Sequence, residues 1–140
     1  MRPVGVFRRR GGADRGNTTL EAALSLTVFL MSIFGILDLG RMVWYYNMVA
    51  HGSREGVRYA VVHGANSSSP ASVPVISSHI STQIPGLDPS LTTITVAWTP
   101  SNSPGGTVNV CVRYSFIPIA PYIPGGPWTL RARAQGIVAR

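Results

Sequence analysis

The stretch TTLEAALSLTVFLMSIFGIL, residues 18 to 37, carries one charge, Glu21, and limits the possible folds more than any other part of the chain. As a helix rising about 1.5 Å per residue it reaches roughly 30 Å, the thickness of a bilayer's hydrocarbon core. With 140 residues in all, the chain has room for one modest domain, and the core outside this run must be small. Such a domain cannot bury an apolar helix on every side. The run is therefore expected to meet lipid or other helices, and a charged fraction of only 12% agrees with a membrane segment.

The flanks orient the segment. All basic residues are arginines, and Arg2, Arg8, Arg9, Arg10 and Arg15 precede the run, while Trp44, Tyr45 and Tyr46 follow it. Basic residues on the cytoplasmic side and aromatic residues at the interface predict a cytoplasmic N-terminus and an extracytoplasmic C-terminal part, in a single-pass protein of the cytoplasmic (inner) membrane. A basic tail can also touch nucleic acid, but its place directly before an apolar run is the simpler topology signal, and no nucleic-acid partner is expected. A removable secretory signal shares the basic-then-apolar pattern. Against it, DLGRMVWYY follows Leu37 with no A-x-A-like cleavage site, and helix-compatible sequence continues.

In RMVWYYNMVAHGSREGVRYAVV, the residues Val43, Tyr46, Ala50, Val57 and Ala60 fall at three- to four-residue steps. This predicts an amphipathic continuation of the helix, ending near Gly64 before the loop GANSSSP. Ile76, Ile80 and Ile84 predict a short helix over about 73–84, stopped by Pro85 and Gly86. Period-two alternation then predicts strands over about 91–98, 107–117 and 128–138. The fold class is α+β: a long N-terminal transmembrane helix continuing into a small domain with a short helix and a three-stranded antiparallel sheet. The expected divisions are a basic cytoplasmic leader (1–16), a transmembrane helix (17–38) and an extracytoplasmic pilin-like domain (39–140).

Little in the chain has the pattern of catalytic or metal chemistry. His51, His63 and His79 lack ligand spacing, and the serines lack a G-x-S-x-G elbow. No enzyme activity and no cofactor are expected. Cys111 is alone, which excludes an intramolecular disulfide and a multi-cysteine metal site and reads as a half-buried strand residue; a bridge to another subunit stays open. Arg131 and Arg133 share one strand face with Arg113 on a neighbouring strand, either a solvated face that discourages edge pairing or a patch for DNA or an acidic surface. Asp38 with Arg41, and Glu55 with Arg58, are spaced three apart on the helix, and exposed pairs of this kind contribute only about 0.2 to 0.5 kcal/mol. The first pair is expected to fix the depth of the helix at the membrane boundary. Gly52 and Gly56 fall on one face and predict close approach of another backbone.

Glu21 stands out because a carboxylate at the centre of a membrane helix costs about 2.5 to 3.5 kcal/mol. It is either a headgroup-level residue or a group that meets a positive charge in a bundle. Gly16 followed by Asn17, Thr18, Thr19, Leu20 and Glu21 resembles a prepilin leader junction, a basic leader ending in glycine with glutamate fifth in the mature chain. FGILDLGRMVWYYN, REGVRYA, VRYSFIPIAPYIPG and LRARAQGIVAR resemble the TadE family of pseudopilins from the tight-adherence (Flp pilus) secretion systems. This resemblance runs from Arg9 onward and is weakest over residues 65 to 105.

The resemblance implies cleavage by a membrane prepilin peptidase between Gly16 and Asn17. The new amine of Asn17 would then pair with Glu21 of a neighbouring subunit. The implied partners are the membrane, that peptidase, other pilin or pseudopilin subunits and the inner-membrane pilus assembly platform. Ala22 stands where many Flp-branch prepilins carry an aromatic residue, so an uncleaved, membrane-anchored envelope scaffold stays open. So does a minor pilin binding DNA or a surface through its arginines.

Overall fold

The computed structural model describes residues 13–120 and 126–139. Most of the basic leader, with Arg2, Arg8, Arg9 and Arg10, lies outside the described residues, as does part of the Pro/Gly-rich crossover at 121–125. The described elements are α1 (Ala13–Val62), α2 (Val73–Gln83), a 3₁₀ turn (Pro89–Leu91), β1 (Thr92–Thr99), β2 (Thr107–Phe116) and β3 (Trp128–Ile137). This is the α+β architecture that the sequence predicts. The 3₁₀ turn is additional to it, capped by Asp88, which accepts hydrogen bonds from the Ser90 N–H (2.8 Å) and hydroxyl (2.7 Å).

From residue 16 to residue 37, α1 buries none of its large apolar side chains. With these side chains exposed, helical propensity and the surrounding medium must hold it.

From Asp38 onward the chain builds a core of its own. The strands form an antiparallel meander in the order β1-β2-β3. Along β2, Val108, Val110, Val112, Tyr114 and Phe116 point inward and are buried, while Thr107, Asn109, Cys111, Arg113 and Ser115 face out. Fully burying a valine contributes roughly 1.5 kcal/mol or more, so this row is the sheet's main holding point. The inward residues of β3 shrink along the strand, from Trp128 through Leu130, Ala132 and Ala134 to Gly136. That taper lets α1 approach closely at one end: a Cβ on Gly136 would lie 2.6 Å from Val57 Cγ1 and 2.9 Å from Val61 Cγ2. The Ala139 N–H donates to the Val61 carbonyl at 3.0 Å and ties the chain there to the end of α1.

Two expectations about α1 need correction. Ala50, Val57 and Ala60 are buried as predicted, but Val43 and Tyr46 are exposed. The buried stripe runs instead through Asp38, Val49, Gly52, Ser53, Gly56, Val57 and Ala60, with Met42 and Tyr45 packed at its edge. Hydrophobicity did not mark this stripe because its centre is made of small residues. Gly52 and Gly56 are approached closely not by another backbone, as expected, but by isoleucine side chains of the same chain, from α2 and its C-terminal end. A Cβ on Gly56 would lie 2.5 Å from Ile80 Cδ1, and one on Gly52 2.7 Å from Ile84 Cγ2. The helices therefore meet through isoleucines seated in glycine notches.

Candidate functional site

The predicted processing and assembly residues all lie on the uncovered part of α1. Gly16, Asn17 and Glu21 are exposed, and an added Cβ on Gly16 would meet no atom within 4 Å. Helix geometry already holds at Gly16, since α1 begins at Ala13. Among the described residues the ion pairs are Asp38 with Arg41 and Glu55 with Arg58, and neither includes Glu21. Leu24, Val28, Phe29, Phe34 and Ile36 surround this part of the helix with exposed apolar surface. Among the described residues, α1 from Gly16 is the one helix long and apolar enough to cross a membrane.

Asp38, the first residue after the apolar run, does more than its sequence pairing suggests. Its side chain is 3% exposed. Oδ1 accepts from Arg41 Nη1 at 2.8 Å and from the Ile119 N–H at 3.1 Å, and Oδ2 accepts from the Ala120 N–H at 2.8 Å. One carboxylate thus fastens the segment after β2 to the helix, 81 residues away in sequence. The expectation of an exposed pair is corrected accordingly. Arg41, half-buried, extends its guanidinium over the rings of Tyr45 (5.7 Å) and Phe116 (5.4 Å), contacts favourable to a cation. Tyr45 in turn lies 4.9 Å from the ring of Tyr114, whose hydroxyl is pushed up in pKa, first by burial and then by Tyr45.

Glu55 and Arg58 form the predicted pair, with Arg58 Nη2 3.1 Å from Glu55 Oε1 and largely in solvent. The structure adds His79 from α2, with Nε2 3.6 Å from the same oxygen. Tyr59 is stacked between His63 (4.1 Å) and His79 (4.4 Å), and these side chains line an open groove with Val62. Sequence spacing could not reveal this stack, because His79 arrives from another element. Among the described residues no three His, Cys, Asp or Glu side chains converge as metal ligands.

The three arginines of β2 and β3 lie on one face of the sheet. Arg113 lies directly opposite Arg131, and Arg133 is two residues along β3, all on the outer sheet face and all exposed. Arg133 Nη2 donates to Asn109 Oδ1 at 2.9 Å, and Arg131 Nε approaches the half-buried Cys111 Sγ at 3.3 Å. Those two arginines are thus partly occupied by neighbours of the same sheet.

No curated protein and no solved structure matches the chain. A protein-family model does match, and it starts at Gly16 and ends within α1, before α2 and the sheet. The resemblance read from the sequence extends further, into the strands. Over residues 16–58, the segment with Glu21, Asp38, Arg41 and Glu55, the chain matches the family described as TadE-like protein, the family its motifs resemble.

Proposed function

We propose that the chain is a single-pass pseudopilin that takes part in assembly of a tight-adherence (Flp-type) pilus. The TadE-like match associates it with that pilus system. The observation that carries the reading is the uncovered apolar surface of α1 from Leu20 to Leu37, which follows the glycine of the junction-like motif. In this reading the segment sits in the cytoplasmic membrane with the leader inside, and the peptidase cuts between Gly16 and Asn17. Glu21 then meets the new amine of a neighbouring subunit's Asn17, which offsets the cost of holding a carboxylate in a bundle. The role is structural rather than catalytic, and its partners are other pilin subunits and the assembly platform.

A second reading, an uncleaved anchored scaffold, is favoured by one feature: α1 is already helical at Gly16, so a peptidase would have to unwind its first turn. Mass spectrometry of the N-terminus, on protein extracted from membranes of cells with active prepilin peptidase, separates the two. The pseudopilin reading expects a chain starting at Asn17, and an intact Met1 would overturn the processing step. Glu21→Ala is expected to be processed and inserted but to lower pilus assembly. Undiminished assembly would reduce Glu21 to a boundary residue.

A further inference from the structure

Three features remain outside the reading above: the His63–Tyr59–His79 groove, the outer arginine face and the apolar segment after β2. The third carries an inference. Ile117 and Ile119 are 55% and 62% exposed, although they follow immediately on the buried Phe116. Two exposed isoleucines two residues apart make a small apolar patch. The hydrogen bonds of Asp38 say where that loop is: the Ile119 and Ala120 N–H groups lie within 3.1 Å of a carboxylate on the residue next to Leu37, the last of the apolar run.

We propose that this segment is a lipid-contacting foot, with Ile117 and Ile119 resting in the interfacial layer of the bilayer beside the point where α1 leaves it. The proposal rests on the reading that residues 17–38 span the membrane. The headgroup layer on each side of a bilayer is about 5 to 8 Å thick. Asp38 lies about 1.5 Å along the helix beyond Leu37, so groups bonded to its side chain fall within that layer. Three further observations agree. Leu39, on the adjoining turn of α1 and within the same layer, is an exposed apolar side chain as well. Backbone N–H groups in a water-poor layer need partners, and the Asp38 carboxylate supplies two of them. Arg41 balances the charge of that carboxylate and keeps a partly exposed guanidinium, suited to a lipid phosphate.

The test uses the full chain in phosphatidylcholine/phosphatidylglycerol vesicles on a Cys111→Ser background. Single spin labels are placed through Ile117→Cys, Ile119→Cys, Val28→Cys and Thr95→Cys. Collision with oxygen, which concentrates in lipid, is compared with collision with a water-soluble nickel chelate. The foot predicts labels at 117 and 119 that favour oxygen, shallower than the label at 28, while the label at 95 on the outer sheet face favours the chelate. If 28 lies in lipid but 117 and 119 are as chelate-accessible as 95, the foot is wrong and the span stands. A chelate-accessible label at 28 removes the span and the foot together. Labels at 117 and 119 shielded from both reagents, with spin–spin broadening that vanishes on dilution with unlabelled chain, assign the face to a second copy and also overturn the proposal. Because Ile117 and Ile119 are exposed, these substitutions are expected to leave the fold intact, checked by an unchanged melting curve.

Discussion

The two parts of α1, residues 16–37 and residues 38–62, share one backbone conformation and differ in almost everything else. In the first, the large apolar side chains among the described residues are exposed. The second has apolar residues as well, yet its buried stripe is made largely of small ones, Gly52, Ser53, Gly56 and Ala60, together with one carboxylate, Asp38. Hydrophobic content therefore does not decide which part of a helix enters a protein core. What decides it is whether the side chains leave room for a partner. The first part is built to be surrounded by a fluid apolar medium or by equivalent helices, the second to be notched by specific side chains such as Ile80 and Ile84.

The largest expected effect comes from putting charge into the first part. Val28→Arg places a guanidinium near the middle of the run, at a cost of about 2.5 to 3.5 kcal/mol on insertion scales. Most of the chain should then leave the membrane fraction on carbonate extraction. The thermal melt of the part from Asp38 onward should not change, because its core is built from residues after Leu37. A variant that stays in the membrane but melts at lower temperature would mean that the two parts are not independent. In the second part the opposite separation is expected. Gly56→Val drives its side chain into Ile80 and Val110, and overpacking of this kind costs about 1 to 3 kcal/mol. For a domain of this size that lowers Tm by roughly 4 to 8 °C per kcal/mol, read by circular dichroism in detergent, with membrane retention unchanged. Gly40→Ala is the control: nothing lies within 4 Å of the added Cβ, and the helix gains up to about 1 kcal/mol. Equal effects at Gly40 and Gly56 would show that helix propensity, not the isoleucine notch, matters at these glycines.

The same contrast explains how much of the molecule was legible beforehand. Strands with alternating residues on one buried face announce themselves, and β1, β2 and β3 fall within a residue or so of the boundaries read from period two. The arginine face was legible for the same reason, since strand periodicity fixes which side Arg113, Arg131 and Arg133 take. The inner stripe of α1 was misread because a search for apolar periodicity passes over glycine and serine and selects Val43 and Tyr46. The Asp38 clasp was not legible at all. A carboxylate three residues from an arginine predicts a helical pair, and no local pattern says that it will also accept backbone N–H groups from Ile119 and Ala120. The only hint is indirect: Pro118 follows soon after the end of β2, and the N–H groups of Ile119 and Ala120 beside it must find partners outside a strand ladder.

A smaller effect tests whether the part held by its own core can be loosened without disturbing the membrane part. The Asp88 carboxyl is held below the ordinary carboxylate range, chiefly by the hydroxyl of Ser90 and then by the Ser90 N–H, with slight burial acting the other way. A depressed native value means that the unfolded chain binds the proton more readily. The stabilisation is therefore present in full above the unfolded chain's value and is lost as pH falls through the native one. The Tm of wild type should exceed that of Asp88→Asn at neutral pH, and the difference should close as the pH is taken below the ordinary carboxylate range. Asp88 lies beside the sheet, remote in sequence from the apolar run, so vesicle retention of the two proteins should agree at every pH. A Tm difference that stays constant with pH would assign the loss to the amide's poorer fit at the 3₁₀ turn rather than to the charge. Unequal retention would mean that the fold around Asp88 helps to hold residues 16–37 in the membrane, and the two parts of α1 would then have to be treated as one cooperative unit.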